Sequence, residues 1–329
     1  VKFKAEDRTE NMRISPKQSA KANVFSMSKW GLFLGLSRTP HAILDMATPA
    51  MAALLWLGQF PPLSIIVVGL ITAFAGYTAV YALNDIVDYR VDRERLALRG
   101  DADDVFDVDN ITVRHPLAQG ILPFPWGLSW LIFWAIVALA GAWWLNPFCA
   151  FIFLVSASLE TIYCRLLKIT HFKIIPSAIV KASGGLAGVY AVDPHPSLGF
   201  VVVLLLWLAA WEIGGQNIAN DIMDMDDDAK VAARTTSTVK GIPESVFRIV
   251  SAVSMAAFAG IAIYFLAGKG VGILYPLGAA ALGWLLLMEP ARSLYYNPGP
   301  AAAAMLFNRA SYAPVGFLLL TTASILLPI

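Results

Sequence analysis

NDIVDYRVD at residues 84–92 and NDIMDMDDD at residues 220–228 share one pattern, N-D-x-x-D-x-x-x-D. The first copy sets out Asn84, Asp85, Asp88 and Asp92, the second Asn220, Asp221, Asp224 and Asp228. Each copy directly follows a long apolar run. If the helices continue through them, the Asn and the last two Asp of each copy fall at i, i+4 and i+8, roughly along one face. Carboxylate rows at the ends of membrane helices are costly unless something cationic lies between them. A site for metal-bound phosphate is the leading expectation. Two unrelated solvated loops are the plain alternative, and two matching copies at equivalent positions weigh against it.

The chain is 58% hydrophobic and only 14% charged, where soluble domains carry about 25% charged residues. That composition predicts an all-α integral membrane protein. Nine apolar spans approach the ~20 residues a helix needs to cross a bilayer. They centre on 41–57, 62–83, 125–145, 148–164, 174–192, 198–219, 246–267, 271–288 and 304–327. The runs are continuous rather than alternating, which favours helices over a barrel. The motif copies begin at residues 84 and 220, four spans apart, so both face one side. The expected architecture is two parallel four-helix halves plus a ninth helix, with the site where the repeats meet.

Basic residues orient the bundle. Arg90, Arg93, Arg95, Arg99 and Arg114, then Arg165, Lys168 and Lys173, then Lys230, Arg234, Lys240 and Arg248 fall in alternate connections, whereas GQFPP (58–62), NP (146–147) and VDPHPS (192–197) contain no Lys or Arg. The positive-inside rule predicts a cytoplasmic N-terminus and active site and an external C-terminus, in a plasma (inner) membrane. Residues 1–37 read as a basic cytoplasmic segment without a cleavable signal, and 38–329 as the transmembrane domain. A cytoplasmic insertion at about 93–113 carries Asp101, Asp103, Asp104, Asp107 and Asp109. It reads as a solvated excursion or as a lid that orders over substrate. Cys149 and Cys164 read as small apolar residues, and the histidines (His41, His115, His171, His195) show no ligand spacing for haem or zinc.

Six or more carboxylates around one cavity repel strongly unless divalent cations relieve them. Mg²⁺ takes oxygen ligands, commonly one or two carboxylates with water and substrate phosphate. Paired acidic rows therefore suit a diphosphate held through Mg²⁺, with its departing charge neutralised. Arg114, Arg165, Lys168 and Arg234 are placed by topology to hold the remaining phosphate oxygens. A diphosphate carrying a long apolar tail explains the membrane setting. Loss of an allylic diphosphate leaves a carbocation that needs a dry, aromatic-lined pocket, for which Tyr81 and Tyr163 are the best-placed candidates.

These residues match a known pattern, and the chain resembles the UbiA superfamily of intramembrane prenyltransferases. Asn84/Asp88/Asp92 and Asp221/Asp224/Asp228 look like its two hallmark motifs. RHPLAQG (114–120) is similar to its R-P-L-x-S-G segment, with His115 interrupting the Arg-Pro step. YCRLLK (163–168), ARTTSTVKG (233–241) and LFNRAS (306–311) resemble further segments of that family. The resemblance implies nine helices around a central cavity and Mg²⁺-dependent transfer of a prenyl group from an isoprenyl diphosphate. It assigns Asn84, Asp88, Asp92, Asp221, Asp224 and Asp228 to Mg²⁺ and diphosphate, with Asp88, Asp92, Asp224, Asp228 and Tyr163 as the catalytic set. Arg114, Tyr163 and Lys168 are expected to contact the diphosphate or shield the cation. A basic residue usual in the family four positions before the Arg-Pro step is Asn110 here, for which Arg93, Arg95 or Arg99 are substitutes.

The acceptor is less legible. Asp45, Glu160, Lys181, Glu212, Gln216 and Asn217 lie in or near spans and are pocket candidates, with helix–helix hydrogen bonding as the alternative. Lys181 and Arg38 are candidates for an acceptor carboxylate. An aromatic, quinone-precursor-like acceptor is the family's commonest; a lipid acceptor, phosphoribosyl transfer or terpene cyclisation are its other chemistries. Membrane lipids are expected partners and nucleic acid is not. From another class, a divalent-cation or lipid-phosphate transporter would place its ion ligands near the midplane rather than at helix ends.

Overall fold

The computed structural model describes residues 29–98 and 108–327. The basic tail up to residue 28, Arg99, and Asp101, Asp103, Asp104 and Asp107 of the acidic run lie outside the described residues, as does the side chain of Asp109. The described chain is helical, and eight helices are long and apolar enough to cross a membrane. Large apolar side chains such as Trp126, Phe258, Phe265 and Leu277 point outward and are exposed, as a bilayer-facing surface requires.

The expected first span, 41–57, is present but split into Thr39–Asp45 and Ala47–Leu57. Pro49 lacks the N–H that would bond to the Asp45 carbonyl and crowds it, so the helix breaks at this turn. Consecutive helices then pack as neighbours, from Leu63–Leu98 through Phe124–Leu145, Pro147–Leu166, Ile174–Val192, Leu198–Trp211, Thr236–Ala262 and Leu274–Gly283. Ala313–Leu326 returns to Ala47–Leu57, while Thr39–Asp45 touches Leu63–Leu98 and closes the ring. Counting the split helix, the described residues give the nine-membered arrangement expected.

Small residues let these helices approach closely, the usual device where hydrophobicity alone cannot pair helices. At Gly188, a Cβ would run into the Pro49 carbonyl oxygen and lie 2.7 Å from its Cα, so Ile174–Val192 and Ala47–Leu57 meet backbone to backbone. Gly188→Leu is expected to destabilise the bundle by about 1–3 kcal/mol, the usual cost of overpacking. Thermal unfolding in detergent measures it, with Gly69→Ala as the control, because a Cβ there meets nothing within 4 Å.

Both ends of the 93–113 insertion are among the described residues. Residues 93–98 simply extend the Leu63–Leu98 helix. Val108 is buried, and its N–H donates to Asn308 Oδ1 at 3.0 Å, which ties the far end of the connection to Pro300–Ser311.

Candidate active site

The first motif sits on unbroken helix, because the residues after it (RERLAL, 93–98) are good helix formers. Asn84, Asp88, Asp92 and Arg95 therefore follow one another along one face. The second motif behaves differently. Its helix widens into a π-turn at Glu212–Asn217, resumes at Ile218–Met223, breaks at Asp224 (φ −95°, ψ 6°) and restarts at Met225–Lys230. The run of aspartates is a poor helix former and repels itself, which accounts for the break. The Asp228 N–H still donates to the Asp224 carbonyl at 2.8 Å, so the acidic face survives.

The two motifs face each other across a polar pocket of about 80 Å³. Asn84, Asp88 and Asp92 line one wall, and Asn220, Asp221, Asp224 and Asp228 the other. Arg95 joins the walls: its guanidinium pairs with Asp228 and lies 3.6 Å from Asp92. Of the substitutes considered for the basic residue missing at Asn110, Arg93 and Arg95 are among the described residues, and of these two Arg95 lines the pocket. Burial raises the Asp228 carboxyl to a pKa of about 6, against the opposing pull of Arg95.

Two further cations enter from other elements. Lys173, at the start of the fifth span, is 3% exposed and donates to Asp221 Oδ1 at 3.2 Å and to Tyr163 Oη at 3.3 Å. Its ammonium also lies 4.8 Å from the centre of the Tyr163 ring. The other Asp221 oxygen accepts the Thr236 N–H at 3.0 Å. Both oxygens of Asp221 are thus engaged by protein. His115 places Nδ1 3.0 Å from Asp85 Oδ1 and 2.9 Å from Asp92 Oδ2. Burial works against a charge on His115, but Asp92 and Asp85 outweigh it and lift its pKa to about 9, so it is a cation at neutral pH. Asn84 is clamped as well: its amide donates to Glu160 Oε1 at 2.7 Å, and its Oδ1 accepts from Arg38 at 3.3 Å.

Arg38, His115 and Ala232 are the non-glycine residues with positive φ among those described. The first two line the acidic pocket and the third follows the second motif directly. Left-handed backbone in such residues persists where surroundings over-determine it, and it clusters at functional sites.

Of the residues expected around the diphosphate, Arg114 and Tyr163 line the pocket. Arg165 and Arg234 are exposed and do not, and Lys168 pairs with Glu94 at 2.7 Å on the surface. Lys173 was readable only as topological charge, Arg95 as that and as one of three substitutes for the residue missing at Asn110, and His115 only as an interruption of a motif. Cys164 also lines the pocket, in contact with Asn84; Cys149 is buried elsewhere and donates to the Ala187 carbonyl.

The donor set tests what cation would fit. The carboxylates of Asp88, Asp92, Asp224 and Asp228 are hard oxygen ligands, with Asp92 shared between Arg95 and His115 and Asp228 paired with Arg95, and buried Asp85 Oδ2 has no hydrogen-bond partner. Such oxygens suit Mg²⁺. Ligand atoms of Asp85, Asp92 and His115 lie within 4.8 Å of one another, and the two carboxylates hold the His115 ring.

An apolar cavity of about 530 Å³ opens from this pocket, sharing Arg38, Asn84, Tyr163 and Asn220 with it. Its far wall is apolar, with Leu54, Ile65, Phe60, Leu145 and Val192. Midway, Tyr81 donates to Asp45 Oδ2 at 2.5 Å and accepts from Lys181 at 2.9 Å, while Lys181 also pairs with Asp45. The carboxylate-binding role considered for Lys181 thus meets an ammonium already neutralised by Asp45.

Comparison with known proteins agrees with this layout. Residues 46–312 match the UbiA prenyltransferase family. A solved structure described for digeranylgeranylglyceryl phosphate synthase in membranes is 20% identical, with a TM-score of 0.64 over 92% of this chain and 100% of that one. A UbiA homologue from Aeropyrum pernix K1 is 19% identical, with a TM-score of 0.65 over 87% and 97%. A UbiA homologue from Archaeoglobus fulgidus, bound to DMAPP and Mg²⁺, is 17% identical, with a TM-score of 0.65 over 90% and 100%. At such identities the likeness is one of fold. No curated protein matches the sequence. The match over most of the length, joined to the paired acidic motifs on a closed helical ring, places the chain in the UbiA prenyltransferase family.

Proposed function

We propose that this protein transfers an isoprenyl group from a polyprenyl diphosphate to an aromatic, quinone-precursor-like acceptor within the membrane. The observation that carries the reading is the junction of two unlike spaces: an acidic pocket built from both motifs opens directly into a long apolar cavity. A diphosphate head with an apolar tail fits that junction. The relative from Archaeoglobus fulgidus, bound to DMAPP and Mg²⁺, supports the same donor chemistry here.

In this reading Asp88, Asp92, Asp224 and Asp228 hold Mg²⁺, with Asn84 and Asp221 at the edge of the set. Bound there, Mg²⁺ supplies Lewis-acid neutralisation of the charge that develops on the leaving diphosphate. Arg38, Arg95, Arg114 and Lys173 line the same pocket and bind its phosphate oxygens. Asp221 keeps Lys173 aimed at the pocket, and Tyr163 covers the cavity mouth, where its ring faces a developing carbocation. The apolar walls exclude water, which would otherwise quench that cation. His41, Tyr81 and Phe307 form a ring-lined belt, with centroid separations of 5.8 Å and 5.5 Å, that suits a planar acceptor. The acidic pocket faces the cytoplasm of a plasma membrane by the distribution of Lys and Arg.

Purified protein given radiolabelled polyprenyl diphosphate and an aromatic acceptor panel is expected to form a lipid-soluble prenylated product only with Mg²⁺. A chelator should abolish it and added Mg²⁺ restore it; product formed equally well in chelator would sink the reading. Within that assay, Arg114→Ala is expected to raise the donor KM or lower kcat by about 10²-fold, the scale of losing one charged contact to a transferring phosphate. Arg165→Ala, altering an exposed side chain outside the pocket, should change either constant by less than about threefold.

A further inference from the structure

Below the acidic pocket, the sixth span leaves α-helical geometry at Glu212–Asn217, EIGGQN, and forms a π-turn. Such turns inside helices are rare and frequently mark functional sites. Two glycines shape this one. A Cβ on Gly214 would lie 2.9 Å from the Ala252 methyl, and one on Gly215 2.8 Å from the Ala310 methyl. The back of the turn is therefore pressed against Thr236–Ala262 and Pro300–Ser311, while Glu212, Gln216 and Asn217 line the cavity.

The hydrogen bonds behind this wall run in one direction. The Asn217 amide donates to Ser177 Oγ at 3.0 Å, and Ser177 donates to Glu212 Oε1 at 2.7 Å. The Gln216 amide donates to Ser311 Oγ at 3.1 Å and to the Phe307 carbonyl at 3.4 Å. These bonds engage donors from both amides and orient them, leaving acceptors behind. Glu212 Oε2, Gln216 Oε1 and Asn217 Oδ1 are buried without hydrogen-bond partners, and their side chains are 4%, 3% and 7% exposed. Three orphaned acceptors on one cavity wall are the complement of a ligand rich in donors.

Charge narrows the ligand further. A carboxylate on it would face Glu212 and Asp45; Lys181 is already paired with Asp45, and Arg38, the cavity's other cation considered for this role, lies where the cavity meets the acidic pocket and donates to Asn84. A cationic ligand would lie beside Lys181, which also lines the cavity. We propose that the wall formed by Glu212, Gln216 and Asn217 is the acceptor's head-group subsite, and that it selects a neutral head carrying two or more hydroxyl groups over a carboxylate-bearing one. This rests on the prenyl-transfer reading above and deepens it by naming the acceptor class.

The test uses the full chain in detergent with Mg²⁺, geranylgeranyl diphosphate and three acceptors: 1,4-dihydroxybenzene, its monomethyl ether and 4-hydroxybenzoate. The dihydroxy compound should give the highest kcat/KM, the monomethyl ether at least tenfold less, and 4-hydroxybenzoate the least. Glu212→Gln and Asn217→Leu should each raise the KM for the dihydroxy acceptor at least tenfold. Both variants should leave unchanged the Mg²⁺-dependent binding of a radiolabelled thiolodiphosphate analogue of the donor, a measurement a misfolded protein would fail. Preference for 4-hydroxybenzoate, an unchanged acceptor KM in both variants, or normal donor binding with no turnover of any acceptor overturns the subsite. Absence of analogue binding by the unaltered protein overturns the prenyl-transfer reading itself and this assignment with it.

Discussion

Asp88→Ala and Asp224→Ala are each expected to lower Mg²⁺-dependent turnover by at least about 10²–10³-fold, the scale of removing a group that stabilises charge developing in a transition state. The two substitutions lie on opposite walls of one pocket. If both walls hold the same diphosphate, their effects are not independent. The double variant should be little worse than either single one, since groups that act as a unit lose their function together. The Mg²⁺ concentration for half-maximal rate should rise in each single variant. Additive, modest losses with an unchanged Mg²⁺ requirement would separate the two motifs into distinct roles. Asp227→Ala is the control: Asp227 sits in the same acidic string but pairs with Lys230 at 2.7 Å outside the pocket.

Lys173→Met should be the most destabilising single change in the acidic pocket. Lys173 and Asp221 are each 3% exposed and lie 3.2 Å apart. Removing the lysine leaves a buried carboxylate without its cation, at a cost of about 3–5 kcal/mol. The companion Asp221→Asn should recover a good part of that stability in the double variant, because the uncompensated charge is then gone while the Thr236 N–H keeps an acceptor. Thermal unfolding in detergent reads both changes. A single variant as stable as the starting protein would show the pair to be structurally idle. The double variant should still lack activity, which separates the structural contribution of the pair from its role at the diphosphate.

Much of this molecule could be read from its residues, and the failures have physical causes. The bundle and the meeting of the two acidic motifs follow from local pattern, since apolar length and i, i+4 spacing are properties of single helices; the helices outrun the expected spans where polar residues continue them, as in Leu63–Leu98 and Thr236–Ala262. The split in the first span was not expected, although Pro49 is its local mark. The break at Asp224 was also local, but a run of aspartates states only that a helix is weakened. Lys173 is different. Nothing near it distinguishes a topological lysine from one buried against Asp221, 48 residues away. His115 and Arg95 reach the pocket for the same reason: their partners, Asp85, Asp92 and Asp228, are chosen by packing. Basic residues at a helix end divide into those that enter the pocket, such as Arg95 and Arg114, and those that face out, such as Arg165 and Arg234. Orientation about the helix axis separates Arg95 from Arg165, and the path of the connecting loops separates Arg114 from Arg234; tertiary contact settles both. The Gly-Gly pair at 214–215 was the one visible hint of the π-turn.

Arg95 also bears on how such a protein is made. Two acidic strings four spans apart must be inserted one after the other and then brought together, at a stage when no substrate is bound. A guanidinium that travels on the same helix as the first string and closes onto Asp228 of the second offsets their repulsion from within the chain. Arg95 thereby lowers the electrostatic cost of bringing the two strings together before any metal or diphosphate is bound.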